Sequence, residues 1–274
     1  MLQQKNSTTT ISNKQDIKLS IQFSLDGFCF CITNTQSNTI LHFFEYLFTE
    51  TLQTPENLLV KVEEIFKKDP HLQNDFSNIT VIHQNNLFAL VPTSYFTKNN
   101  LADYLNFNIK TLATDFITFD EINTINAKNI YIPYVNINNY LFQNFGEFEY
   151  KHHITELVKK LIEATDHNEK TMFVNVCKTT FDIVILQNKN LLLANSFSFS
   201  SKDDFVYYIL FVAEQLELKT EEFELYFMGQ INTTSEIYKT AFEYIRNIYF
   251  LESKNTIFKD LNIAKHSNYI LLGS

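Results

Sequence analysis

The stretch MFVNVCKTTFDIVILQ, residues 172–187, holds the residue types in this chain best suited to chemistry. Two apolar runs flank a short polar turn, so the segment reads as a hairpin with Thr180 and Asp182 at or near its tip. A hydroxyl and a carboxylate there suit phosphate or hydrated-cation contacts, and equally suit a plain turn and strand edge. Asp26 supplies a second carboxylate, within an Asp-Gly pair that favours a tight hairpin turn. His152-His153 followed by Glu156 stands at a helix start, yet nothing nearby completes a metal site, and the three read as solvated helix residues. Cys29 and Cys31 lie two apart on one strand face, too close for an ordinary disulfide. With Cys177 they make an odd count and read as reduced thiols. No nucleophile motif such as G-x-S-x-G occurs.

The elements that must carry these residues repeat. Leu19, Ile21, Phe23 and Leu25 alternate with polar neighbours, the Asp26-Gly27 turn follows, and a third apolar run spans 39–48. Thr54-Pro55 opens a helix with a capping hydroxyl and a proline in its first turn, and Leu58, Val62, Ile65 and Phe66 form its stripe. Later, TMFVNVC and FDIVILQ form a hairpin and NLLLANSFSF a third strand. Ser201 caps a helix bearing Phe205, Tyr208, Ile209, Val212 and Leu216, with Asp204 placed for a capping box. A shift of 153 residues lays Ile21 on Val174, Phe23 on Val176 and FCFCI on FDIVI without a gap. Between the repeats, SNITVIHQ and LFALVP suggest another hairpin, SYFTKNNLADYL a helix, ITFDEI and NIYIPYV strands. Ile154 to Ile162 suggests a connecting helix. FELYFMG, a helix from Ser235 to Arg246, and strands at IYFLES and NYILLG complete the second half. The implied class is α/β, with mixed sheets flanked by helices. The implied divisions are a disordered tail over 1–16, a first lobe over 17–150, a connecting helix over 151–169 and a second lobe over 170–274.

Composition narrows the function. Hydrophobic residues make up 45% of the 274 and aromatic residues 15%, with 27 Phe, 14 Tyr and no Trp, ample for a ring-rich core in one large domain or two of ordinary size. A net charge of −9 and no dense Lys or Arg cluster argue against nucleic acid or an anionic membrane as partner. Arg246 is the only arginine, so the bidentate clamp favoured for phosphates is scarce. The polar N-terminus lacks a signal core, and FVYYILFVA (205–213) falls short of the ~20 residues that span a bilayer. The expectation is a cytoplasmic protein, monomeric or weakly dimeric.

Two β-β-β-α units in tandem resemble the plan of the actin, Hsp70 and hexokinase superfamily, with its ribonuclease H-like lobes. The stretch VNVCKTTFDIV looks like that superfamily's phosphate-gripping pattern V-D-x-G-x-x-T-T-D-I, with Val174, Thr180 and Asp182 in register. From residue 17 onward the chain also resembles a Bacteroidetes family of unknown function with an actin-like ATPase fold, most specifically over LSIQFSLDGFCFCI and MFVNVCKTTFDIVI. That resemblance implies a nucleotide site, and the residues depart from it. Asn175 replaces the acid that organises hydrated Mg²⁺, and Cys177 replaces the glycine that lets backbone amides approach phosphate. In the first half Gln22 and Ser24 stand at those positions, and Asp26 comes four residues late. Gly229 alone remains of an expected Gly-Gly adenosine loop, in a chain with four glycines.

The expectation is therefore a degenerate actin-like body without cofactor or metal, kept as a scaffold for an unidentified protein partner. An enzyme or nucleotide-dependent switch using Asp26, Thr180 and Asp182 in a non-standard site is the alternative. A ligand-binding protein with a closed apolar pocket between lobes is a third class.

Overall fold

Ile17, Leu19, Ile21 and Phe23 are almost wholly buried along the first strand, β1 (Ile17–Ser24), so the alternation seen in the sequence does mark a core-facing strand. A computed structural model describes residues 16–166, 168–255, 257–258 and 263–272, so the tail expected over residues 1–15 lies outside the described residues. β1 pairs antiparallel with β2 (Gly27–Asn34), which pairs with β3 (Ile40–Leu47). Helix α1 (Pro55–Lys68) follows, capped by the Thr54 hydroxyl, which accepts from the Asn57 amide. It buries Leu58, Val62, Ile65 and Phe66.

The second unit repeats this order. β9 (Thr171–Val176) pairs antiparallel with β10 (Thr180–Gln187), which pairs with β11 (Asn190–Ser198). Helix α5 (Lys202–Gln215) is capped by Ser201 through the anticipated capping box with Asp204. Adding 153 to both members of the pair Ile21–Phe30 gives Val174–Ile183, so the two hairpins share one register. Adding 147 to Thr54 gives Ser201. The offset falls because the links around the third strand are shorter in the second unit. There, Asn188 and Lys189, both at positive φ, close a two-residue hairpin loop.

Each unit completes a five-stranded sheet in the same way. The first has the order β3-β2-β1-β4-β8, where β4 (Asn78–His83) and β8 (Glu149–His152) are added in parallel. The second has the order β11-β10-β9-β12-β13, with β12 (Glu224–Gly229) and β13 (Asn247–Phe250) likewise parallel. The first unit also carries a three-stranded sheet, β5-β7-β6, made of β5 (Phe88–Pro92), β6 (Thr118–Ile122) and β7 (Ala127–Tyr131). Beside it lies the short helix α2 (Leu101–Asn106). One compact unit holds residues 16–122 and Asn126–Thr155; the other holds Asn123–Ile125, Glu156–Phe258 and residues 263–272. The division falls within α4 (His153–Ala164), the helix expected over 151–169.

Several local expectations are corrected. The two residues turning β1 into β2 are Leu25 and Asp26, with Gly27 paired to Ser24, so the turn sits one residue earlier than an Asp-Gly turn would. Gly27 is needed elsewhere: a Cβ there would stand 2.9 Å from the Tyr46 carbonyl of β3. SNITVIHQ and LFALVP form no hairpin, because β4 runs parallel to β1 while β5 pairs with β7. SYFTKNNLADYL holds two single 3-10 turns before α2. YILL (269–272) is a buried helical turn; a short apolar run does not by itself distinguish helix from strand. Helix α3 (Val135–Phe145) and strand β8 were not anticipated. The asparagines of VNINNYLFQNF are poor helix formers, and burial of Ile137 and Leu141 in the α1-side core outweighs that preference.

Candidate functional site

The hairpin tip between β9 and β10 is occupied by its own hydrogen bonds. The Cys177 amide donates to the Thr180 carbonyl at 2.9 Å, and the Phe199 amide donates to the Thr179 carbonyl at 3.0 Å. Thr180 opens β10 at the partly exposed rim, whereas Asp182 lies inside the sheet, 3% exposed. That corrects the reading of Asp182 as a strand-edge group: β10 is covered on both faces, so its alternate side chains are all buried. Asp182 faces Asn175 across the pair. The Asn175 amide donates to Asp182 Oδ2 at 2.9 Å, and the Ser196 hydroxyl from β11 donates to Oδ1. Both carboxylate oxygens are thus held by neighbouring strands.

Gly229 closes the same end of the sheet. It has φ +86°, and a Cβ there would stand 2.2 Å from the Val176 carbonyl and 3.0 Å from Asn175 Oδ1. The following amide, Gln230, donates to that Val176 carbonyl at 2.7 Å. The glycine therefore serves the close approach of β12 to β9.

The first unit has the same geometry with other residues. Gln22 faces Cys29 where Asn175 faces Asp182, and its Nε2 donates to Gln84 Oε1 at 2.6 Å. Gln22 Oε1 is buried and receives no hydrogen bond. The Ser24 hydroxyl accepts from the Asp26 amide at 3.1 Å, and Asp26, 7% exposed, accepts from Thr51 Oγ1 at 2.6 Å. His83 stands in β4 opposite Phe23, the place Gly229 takes opposite Val176 in β12. Ser196, Gln84 and Thr51 were not singled out from sequence. One signal was available: apolar runs ending in His-Gln at 83–84 and Gly-Gln at 229–230 mark equivalent strand ends.

A third polar cluster contradicts the solvated reading of His152 and His153. They are 0% and 1% exposed, and His83 is 0% exposed. His152 Nε2 donates to the Asn85 carbonyl at 3.1 Å, while its Nδ1 accepts from Asn129 Nδ2 at 3.2 Å. The His152 amide and the Thr155 hydroxyl both donate to Asp120 Oδ2, at 2.8 and 2.7 Å. Burial pushes His83 down to about 3 and His152 well below the ordinary imidazole value. Burial also raises Asp120, against the hydrogen bonds it accepts from His152, Thr155 and Tyr131. Among the described residues, no group of three or more His, Cys, Asp or Glu is placed to hold a metal ion. Nor is any described helix long and apolar enough to cross a membrane.

A Mg-nucleotide does not fit either hairpin. The only carboxylate at the first strand pair of the second unit, Asp182, is enclosed by two donors, and Gln22 offers no charge in the first.

Two sheets of like strand order, each built as a β-β-β-α unit with two parallel strands added, define an actin-like ATPase fold. A crystallised Bacteroides thetaiotaomicron protein with actin-like ATPase fold and unknown function is similar at 22% identity and TM-score 0.78, over 87% of this chain and 91% of that one. The PilM-PilN type IV pilus biogenesis complex contains a chain similar at 10% identity and TM-score 0.57, over 93% and 96%. The chain belongs to the family described as "Protein of unknown function (DUF3822)", which matches residues 6–248. No functionally curated protein matches it.

Proposed function

We propose that this protein is a non-catalytic, cytoplasmic actin-like body that serves as a scaffold for a protein partner. The observation that carries this reading is the closure of both phosphate-loop positions by the protein's own side chains: Asn175 and Ser196 on Asp182, and Gln84 on Gln22. With its one carboxylate and its amide donors engaged internally, leaving only the uncharged Gln22 Oε1 unbonded, such a site has no charged group preorganised for a tetraanion and its cation. The fold shared with a chain of the PilM-PilN complex supports an assembly role, by analogy of fold alone. On this reading Gln22, Ser24, Asp26, Asn175, Cys177, Thr180 and Asp182 are structural positions of a lost site. Titration calorimetry with Mg-ATP and Mg-ADP tests the first half of the reading, and micromolar binding would overturn it. Affinity capture from the native organism tests the second, through a stoichiometric protein partner that survives salt.

A further inference from the structure

We propose that His83 and His152 form a proton-operated latch, whose protonation releases the β7–α3 connection and the three-stranded sheet from the ends of β4 and β8.

The latch is defined by what each ring nitrogen does. His83 Nδ1 accepts from the Tyr134 backbone amide at 3.1 Å, and Nε2 faces Asn138 Oδ1 at 2.9 Å. His152 Nδ1 accepts from Asn129 Nδ2, and Nε2 donates to the Asn85 carbonyl. Both rings are thereby held as the neutral tautomer with its proton on Nε2. These bonds join different sheets: His83 ends β4 and His152 ends β8, whereas Asn129 lies in β7 and Tyr134 just beyond it. Asn85 Nδ2 adds a bond to the Ile132 carbonyl at 3.0 Å.

A protonated imidazole has no lone pair, so each Nδ1 would then point a proton at a donor. The Asn129 amide can turn to present Oδ1, which receives no hydrogen bond at present, by giving up its 2.9 Å bond to Thr155. The Tyr134 peptide has no such freedom, nor has the Ile154 amide, which also donates to His152 Nδ1 at 3.4 Å. Each ring thus faces a fixed backbone donor, with the shorter bond at His83.

Other titratable groups surround the rings. His153 of α4 lies 4.4 Å from His152, centroid to centroid, and Tyr150 of β8 lies 5.7 Å from His83. Asp120 of β6 and Tyr131 of β7 face His152, Lys151 acts on Asp120, and Asp26 acts on Tyr134. Phe23 of β1 and Phe88 of β5 cover the rings. The closed state holds both imidazoles below their ordinary value and the open state restores it. Closure is thus fully favoured above that value and is lost as pH falls beneath it. Asp120, raised by burial, acts in the opposite sense, and Tyr131 and Tyr134, both raised by burial, keep their protons throughout this range.

Hydrogen exchange on the full chain from pH 7 to pH 4, corrected for intrinsic rates, tests the latch. The expected result is at least tenfold loss of protection in 88–92, 118–122 and 127–134 at a pH where 19–23, 28–32 and 79–82 stay protected. The variant H83Q keeps a donor and an acceptor without titrating, and its 127–134 segment should hold at pH 5 as at pH 7. Should H83Q fail to fold, NMR titration of the native imidazoles decides: the His83 midpoint must coincide with opening of 127–134. Simultaneous loss of protection in both sheets, or titration of His83 near its ordinary value with 127–134 still protected, overturns the proposal.

Discussion

Asn175 holds the Asp182 carboxylate across the β9–β10 hairpin at 2.9 Å, in the position Gln22 and Cys29 share one unit earlier. Restoring an acid at 175 would therefore set two carboxylates against each other in a buried pair. Asn175→Asp should lose about 1–3 kcal/mol of stability near neutral pH, the cost of an unmet buried polar group. One of the pair must then take up a proton, with its pKa raised above the unfolded value. The sign follows: the deficit is smallest below the carboxylate range and grows as pH rises through the raised value. Urea unfolding at pH 5 and pH 8 checks this, and a variant as stable as the parent at pH 8 would contradict it.

The same closure sets the expectation for nucleotide. Mg-ATP should bind more weakly than a dissociation constant of about 1 mM, roughly 4 kcal/mol, in titration calorimetry. The double variant N175D/C177G should not reach the micromolar range, because Ser196 still occupies Asp182 and the overall charge of −9 repels a tetraanion.

Gly229→Ala should be among the most damaging single changes. The added Cβ meets the Val176 carbonyl at 2.2 Å, in a backbone conformation of φ +86° that alanine rarely adopts. The positive φ alone costs on the order of 1–3 kcal/mol, and the contact adds to it. Thermal melting of the variant would check this, and an unchanged midpoint would mean that β12 does not approach β9 so closely.

The helix caps offer a milder comparison. Thr54→Ala and Ser201→Ala should each cost about 1 kcal/mol. Ser201→Ala should cost less than Thr54→Ala, since the Asp204 carboxylate still accepts from the backbone amide at 201 after the hydroxyl is gone, whereas Thr54→Ala removes a hydroxyl that also bonds the Glu56 carboxylate. Denaturant midpoints of the two variants would settle the order.

All three cysteines should alkylate once the protein is unfolded, without prior reduction, because the structure holds them as thiols. In the native state Cys177, partly exposed at its hairpin tip, should react ahead of buried Cys29 and Cys31. Intact mass after timed iodoacetamide treatment distinguishes these, and a native adduct first at Cys29 would contradict the fold.

The duplicated order was legible because it rests on local rules. Ile21 and Val174 repeat with period two in strands buried on one or both faces, and Thr54 and Ser201 cap helices of 14 residues each. The missed elements lack such signals. Four residues of β8 carry no alternation, and α3 is helical against the preference of its asparagines. The turn at Leu25-Asp26 was displaced by one residue because Gly27 answers to β3, a neighbour no local pattern reveals.

For the candidate site, the sequence alone determined the residue types: Asn175 and Gln22 carry no charge, and position 177 bears a cysteine side chain. Only the tertiary structure decided what the remaining polar groups do. Asp182 is held by Ser196 from a strand two places away in the sheet order from β9, Gly229 is pinned by Val176, and His152 meets Asp120 and Asn129 across two sheets. The physical reason is range: backbone preference acts over a few neighbouring residues, whereas burial forces each polar group to find a partner wherever the chain returns.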